Sequence, residues 1–227
     1  MPAPRPIRLF HITAIANLPA ICAAGALLSK NQGAANGVAY QNIAHGGAQG
    51  ARAVRRLPDP PGGCVHDYVP FYFAPRSPML FAVNGGKVEG CALRQADIVH
   101  IETTVEAVTA TGAAFVFFDR NATLAYSKPY TDLNDIDHAV AWDLLTEPPR
   151  LDGFRKYWQS RHADPRHMDR MERRMAEFLV NDRVALNVCT GIGVFDAERQ
   201  AEVSAILEAA GVKLPVMVVQ EWYFLGQ

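Results

Sequence analysis

The sequence predicts an α+β fold, and three observations carry that expectation. Short segments rich in aromatic and β-branched residues recur at residues 65–73, 113–118 and 216–219. Helical spacing of apolar residues is confined to short stretches, the clearest being Val203, Ile206, Leu207 and Ala210. The two kinds of segment do not alternate regularly, as a parallel α/β sheet would require.

Taken in order, Arg-Leu-Phe-His-Ile-Thr at residues 8–13 reads as a short strand. Asn17 stands where a helix cap is expected, with Leu18 and Pro19 opening the helix and Gly25 ending it. Residues 29–54 are rich in Gly, Ala, Asn and Gln, with too little apolar surface for a core. They read as an element that orders around a ligand. Leu-Pro-Asp-Pro-Pro-Gly-Gly at 57–63 is a stop signal, and residues 65–73 form the next strand. A turn over 74–78 and an apolar stretch over 79–83 follow. Residues 97–101 read as strand, 104–111 as helix and 113–118 as buried strand. The polar stretch 128–170, with Trp142, Trp158 and His162, has helical pieces of weak periodicity. Residues 173–180 lead into a strand, Asp196 caps a helix that Gly211 ends, and residues 216–219 close the fold. The length of 227 residues fits one domain.

Composition excludes several classes. Hydrophobic residues make up 49% and charged residues 20%, which is enough apolar material for a core. A net charge of −1 is unlike a protein that grips duplex DNA along its backbone. Any nucleic-acid contact is therefore local, to a few unpaired nucleotides. Cys22, Cys64, Cys91 and Cys189 form no CxxC pair, so reduced thiols in a cytoplasmic protein are expected. The first eight residues lack a signal-peptide h-region and no run approaches a membrane span, so the Asn121-Ala-Thr123 sequon reads as a chance match. There is no GxGxxG after the first strand, no P-loop and no HExxH. The histidines are dispersed, and His162 and His167 are not an i, i+4 pair, so no metal site is expected.

Three local signals remain. Pro-Pro-Gly-Gly at 60–63 leads through an aromatic strand to Arg76-Ser-Pro-Met79. That turn is an ordinary surface feature or a holder for an unstacked base, with a planar guanidinium and a soft thioether. Glu177 opens an apolar strand beside Arg173 and Arg174. It faces solvent or, if it faces inward, needs a partner for its buried charge. Phe10-His-Ile-Thr13 places two polar side chains just before a helix, either structurally or lining a cleft.

These signals occur together in the DarT family. Phe-His-Ile-Thr-Ala-Ile-Ala-Asn-Leu at 10–18, Ile-Ala-His at 43–45 with Gln49 and Arg52, residues 60–79, Phe-Val-Phe-Phe-Asp-Arg at 115–120 and Ala-Glu-Phe-Leu-Val at 176–180 resemble it, in order and over nearly the whole chain. The resemblance implies an ADP-ribosyltransferase fold with a split mixed β core, flanking helices and NAD as co-substrate in a cleft, without a metal. It implies ADP-ribose transfer to a base of single-stranded DNA, thymidine in the familiar branch and guanine in a related one. It also implies a toxin, a monomer, whose partner is a DarG-like macrodomain antitoxin.

By position, Glu177 matches the family's catalytic glutamate and Arg52 its second catalytic residue, which also contacts NAD. His11, Ile12 and Thr13 match nicotinamide-side contacts, with Ala20 and Leu28 further along the same wall. Residues 33–54 match an element that covers NAD. Arg76, Ser77 and Met79, with Arg173 and Arg174, are expected on the DNA side, and residues 134–177 match the loop that shapes it. This chain departs from the family at Gly50-Ala-Arg52, where an acidic residue and paired arginines are usual, and in Gly46 and Gly47. Two other classes stay open on the residues alone: a protein-modifying transferase on the same scaffold, and a single-strand-binding module without catalysis.

Overall fold

The computed structural model describes residues 1–43, 46–145, 160 and 162–224. Its strands, in chain order, are β1 (Arg8–Ala14), β2 (Ala26–Leu28), β3 (Tyr68–Tyr72), β4 (Ile98–Thr104), β5 (Phe115–Phe118), β6 (Pro129–Tyr130), β7 (Glu177–Asn181), β8 (Arg183–Ala185), β9 (Gly191–Val194) and β10 (Val216–Val218). The helices are α1 (Leu18–Ala24), α2 (Lys30–Ala35), α3 (Gly46–Val54), α4 (Pro78–Asn84), α5 (Val105–Thr109), α6 (Ile136–Ala139), α7 (Trp142–Leu145), α8 (Arg170–Arg173) and α9 (Ala197–Ala209). Eight strands form one sheet in the order β10-β9-β4-β1-β3-β7-β5-β6, and β2 pairs with β8 apart from it. Only β10 and β9 run parallel, so the sheet is mixed.

The sheet is split at its centre. β1 pairs with β4 along its whole length, from Arg8↔Thr104 to Ala14↔Ile98, but meets β3 at a single pair, Phe10↔Tyr72. Pro70 lies on the open side of β3. A proline has no N–H to give a ladder, so it is tolerated where the neighbouring strand has parted. Its carbonyl is taken instead by the ring of His11, whose Nδ1 lies 2.9 Å away.

Alternation along the strands sorts the core. One face carries Leu9, Val69, Phe71, Val99, Ile101, Phe117 and Phe178, packed against α1, α5 and α9. The other face carries two separate clusters. Phe10, Ile12 and Ile98 pack with Leu80 and Val83 of α4 and with Trp222, Tyr223 and Phe224. Tyr68, Val116, Phe118 and Leu179 pack with Leu57 and Val65. Between them, on the same face, the register places Tyr72 opposite Glu177.

Most of the expected elements form. Gly25 ends α1 in the left-handed region, and Asp196 caps α9 by accepting from the Arg199 N–H. Asn17 does not cap α1. Its amide donates to Thr13 Oγ1 (3.0 Å) and the Gln41 carbonyl (3.1 Å) and accepts from the Gln41 N–H (2.7 Å). It ties β1 to the segment that follows α2. The apolar stretch after the Arg-Ser-Pro-Met turn is α4, capped by Ser77 through the Leu80 N–H. β9, of sequence Gly-Ile-Gly-Val, carries no strand pattern because its glycines make room for a neighbour. A Cβ on Gly193 would lie 2.2 Å from the Trp222 ring.

The C-terminal aromatics are held from several directions. Gln95 clamps the Phe224 backbone, donating to its carbonyl (2.9 Å) and accepting from its N–H (3.0 Å). His100 on β4 is fully buried, edge-on to Trp222 and Tyr223, with Nε2 donating to the Pro75 carbonyl at 3.0 Å. Burial, only partly offset by that bond, lowers its pKa from 6.5 to about 4. A neutral buried histidine is favoured over the unfolded chain above pH 6.5, and that advantage is lost as pH falls through about 4. Denaturant titrations at stepped pH are therefore expected to show His100 costing up to about 3 kcal/mol of stability across that window. His100→Gln, which does not ionise, is expected to flatten the profile. Parallel profiles for the two proteins would contradict the assignment.

Candidate active site

The gap between β1 and β3 opens into a cleft with two lobes that share His11, Ile12, Gln49, Arg52, Pro70 and Met79. One lobe, about 270 Å³, reaches Tyr72, Asn121, Thr123, Met175 and Glu177. The other, about 360 Å³, reaches Thr13, Leu28, Lys30, Tyr40 and His66. α3 forms a wall of both through Gln49 and Arg52.

Glu177 begins β7 and is only 1% exposed. A carboxylate so deeply buried is costly unless it is paired and hydrogen-bonded. Arg52 Nη1 donates to both oxygens, at 3.0 Å to Oε1 and 3.2 Å to Oε2. The Ala122 N–H donates to Oε2 at 3.1 Å, and Asn121 Nδ2 lies 3.5 Å from Oε1. Pairing of Phe117 with Phe178 brings the chain after β5 alongside the start of β7, which is how residues 121 and 122 reach the carboxylate.

The charges around the pair follow from it. Burial opposes the charge on Arg52, but the Glu177 carboxylate outweighs that effect and raises the arginine's pKa further. Burial and then the Glu177 charge push the Tyr72 hydroxyl upward, so it stays protonated. Arg52 Nη2 is buried with no hydrogen-bond partner among the described residues. An unmatched guanidinium N–H in a cleft is a site for an anionic or carbonyl oxygen of a ligand.

The wall opposite is polar and also pre-arranged. The Pro70 carbonyl can only accept, so His11 carries its proton on Nδ1 and leaves Nε2 as an acceptor. Burial lowers the His11 pKa despite that bond, which keeps the ring neutral. Gln49 Oε1 accepts from Lys30 Nζ (2.8 Å) and His66 Nε2 (3.0 Å), tying α3 to α2 and to the approach to β3. Burial first, then the positive charges of Lys30 and Arg52, lower the His66 pKa.

The cleft thus gathers Glu177, Arg52, His11, Ile12, Thr13, Leu28 and Met79. Ala20 is half-buried on α1 and does not line it, whereas Ile21 does. Arg76 is 4% exposed, with Nε donating to the Glu221 carbonyl (3.1 Å) and its guanidinium over the Phe224 ring. Burial lowers its pKa. Ser77 is occupied as the cap of α4. Arg173 bonds Asp169 at 2.8 and 2.9 Å, and Arg174 is buried with its guanidinium on the Leu144 carbonyl. Neither arginine lines the cleft. The expected covering element, residues 33–54, is resolved into the end of α2, a connection and α3, with His45 outside the described residues. Of the expected loop 134–177, residues 146–159 and 161 lie outside them too.

Sequence reasoning missed Asn121, Tyr72, Lys30 and His66. The signal for Asn121 was the strand pairing, since its sequon reading has no bearing on the carboxylate beside it. Among the described residues, no group of three His, Cys, Asp or Glu side chains could hold a metal ion.

Comparison with known proteins gives the family. A family model described as "ssDNA thymidine ADP-ribosyltransferase, DarT" matches residues 10–224. A DNA ADP-ribosyl transferase of Thermus sp. (strain 2.9) is 34% identical over 223 residues, covering 97% of this chain and 98% of the relative. The solved structure of Thermus sp. 2.9 DarT in complex with ADP-ribosylated ssDNA matches with a TM-score of 0.85 at 33% identity, over 98% of this chain and 99% of that one. Thermus sp. 2.9 DarT in complex with NAD+ matches with a TM-score of 0.79 at 31% identity, over 97% and 99%. The chain belongs to the DarT family of single-stranded-DNA thymidine ADP-ribosyltransferases.

Proposed function

We propose that this chain carries out the family's reaction, ADP-ribose transfer from NAD to thymidine in single-stranded DNA, with Glu177 and Arg52 as its catalytic pair. The observation that carries the reading is the buried carboxylate held by an arginine at the split in the sheet. The orphaned Nη2 of that arginine fits an oxygen of NAD.

NAD supplies a glycosidic bond whose cleavage frees neutral nicotinamide and leaves positive charge on the ribose. Glu177 is the one acidic side chain lining either lobe among the described residues, so it is the group that stabilises that charge. Arg52, whose pKa is raised, stays a donor throughout. It orients Glu177 and offers Nη2 to the pyrophosphate. This leaves Glu177 to accept the proton that the base nitrogen gives up, since a guanidinium is no base. Neutral His11, with Thr13, Ile12 and Leu28, lines the NAD lobe.

Met79 and Thr123 line the lobe that holds Glu177, the side proposed for the base. A single strand presents that base without the cost of flipping it from a duplex. Residues 1–227 act as one transferase domain in this reading. The described parts of residues 33–54 cover NAD in this reading, and the described parts of 134–177 face the DNA. A monomer in the cytoplasm and a DarG-like macrodomain antitoxin belong to the same proposal, supported by the sequence resemblance. No described helix is long and apolar enough to cross a membrane.

Incubation with NAD and defined single-stranded oligonucleotides, read by mass spectrometry, is expected to add one ADP-ribosyl group to thymidine-containing strands. Glu177→Ala is expected to abolish that gain while NAD still raises the protein's melting temperature. Label found only on protein, or an active Glu177→Ala, would overturn the reading.

The buried Arg76 acts in this account by fixing the wall that carries Met79, through Glu221 and Phe224. Arg76→Ala is accordingly expected to speed hydrogen exchange at residues 222–224 as it weakens DNA use. Weaker DNA use with unaltered exchange would instead make Arg76 a direct contact.

A further inference from the structure

The carboxylate of Glu177 has more partners than one resting ion pair requires. Oε2 is fixed by a main-chain donor, the Ala122 N–H at 3.1 Å, and so keeps its place whatever side chains move. Oε1 is held by Arg52 Nη1 at 3.0 Å. Asn121 Nδ2 waits 3.5 Å from the same oxygen, at the outer limit of a hydrogen bond.

The orientation of the Asn121 amide is settled by its neighbour. The Thr123 N–H, which can only donate, lies 2.9 Å from Oδ1, and the Thr123 hydroxyl lies 2.6 Å from it. Oδ1 is therefore the acceptor and Nδ2 the group turned toward Glu177. An amide pinned on its acceptor side by two bonds, with its donor side aimed at a buried carboxylate, is pre-organised to hold that carboxylate. Asn121 and Thr123 both line the lobe that contains Glu177.

Arg52 serves Glu177 through Nη1 alone, on both oxygens at 3.0 and 3.2 Å, and leaves Nη2 for a ligand oxygen. Oε1 of the buried carboxylate therefore has room for a second, neutral donor, and a buried charge is least costly when its oxygens are fully hydrogen-bonded.

We infer that Asn121 is a positioning residue that shares Oε1 of Glu177 with Arg52 and keeps the carboxylate aimed at the ribose, with Thr123 fixing the amide. A neutral amide suits that task, because it orients the carboxylate without cancelling the negative charge that faces the developing positive one. This inference rests on Glu177 being the catalytic carboxylate.

Two measurements test it. The first is the side-chain 1H–15N signal of Asn121, assigned by its loss in Asn121→Ala. Removing the competing guanidinium by Arg52→Ala is expected to move that amide proton downfield and slow its exchange, and adding Glu177→Ala is expected to reverse both. A signal indifferent to Arg52→Ala would overturn the proposal.

The second is the kinetics of nicotinamide release with single-stranded DNA. Asn121→Ala is expected to lower kcat by about ten- to hundredfold, the range for losing a hydrogen bond to a charged group. KM for NAD is expected to stay within about twofold. Thr123→Val is expected to lower kcat in the same way and Thr123→Ser to restore it. A loss confined to KM, or unchanged kcat in Asn121→Ala, would also overturn it. Should the unaltered protein fail to label oligonucleotides while the amide signal responds as expected, the transfer reading falls and the placement of Asn121 against Glu177 stands.

Discussion

A carboxylate buried at the open seam of a sheet, and the arginine that neutralises it, set the terms for the rest of this molecule. Glu177 begins an interior strand with its side chain on the face where the core is interrupted. Burial there is sustained only because Arg52 and the chain after β5 supply donors. Removing one partner from a buried pair of this kind typically costs roughly 3–5 kcal/mol. The pair therefore serves the fold as well as the chemistry, since it anchors α3 across the cleft.

The seam arises from ordinary strand physics. β1 is committed to β4 over seven residue pairs, and its contact with β3 ends after one. Pro70 removes the N–H that would invite further pairing, and the His11 ring satisfies the carbonyl left over. The same replacement sets the tautomer of His11 and leaves its Nε2 as an acceptor. On the other flank Lys30 and His66 fasten α3 through its Gln49. A helix opening Gly-Gly and containing a third glycine has weak intrinsic stability, so its position depends on these side-chain ties.

Much of this was legible in the sequence, for reasons that can be named. The strands around Phe10, Phe71, Phe117 and Phe178 announce themselves through aromatic and β-branched content, and α9 through its spacing and its Asp196 cap. Glu177 was detectable as a charge at the head of an apolar strand. β9 was not, because its glycines yield room to Trp222 instead of displaying a pattern. Asn17 looked like a cap by position, but a tertiary partner, Gln41, claimed its side chain. Arg76 and Arg174 were expected on the DNA side, but backbone carbonyls remote in sequence hold them, whereas Arg173 meets Asp169 at the i, i+4 spacing that a local reading can see. Asn121 needed the β5–β7 register, which no linear motif encodes.

The claim that the Glu177–Arg52 pair holds α3 over the cleft is most directly tested by hydrogen exchange at the amides of residues 46–54. Glu177→Gln keeps the shape of the side chain and removes its charge. The account predicts markedly faster exchange along α3 in that variant, with β4 amides unaffected. Equal protection of α3 in the two proteins would contradict it.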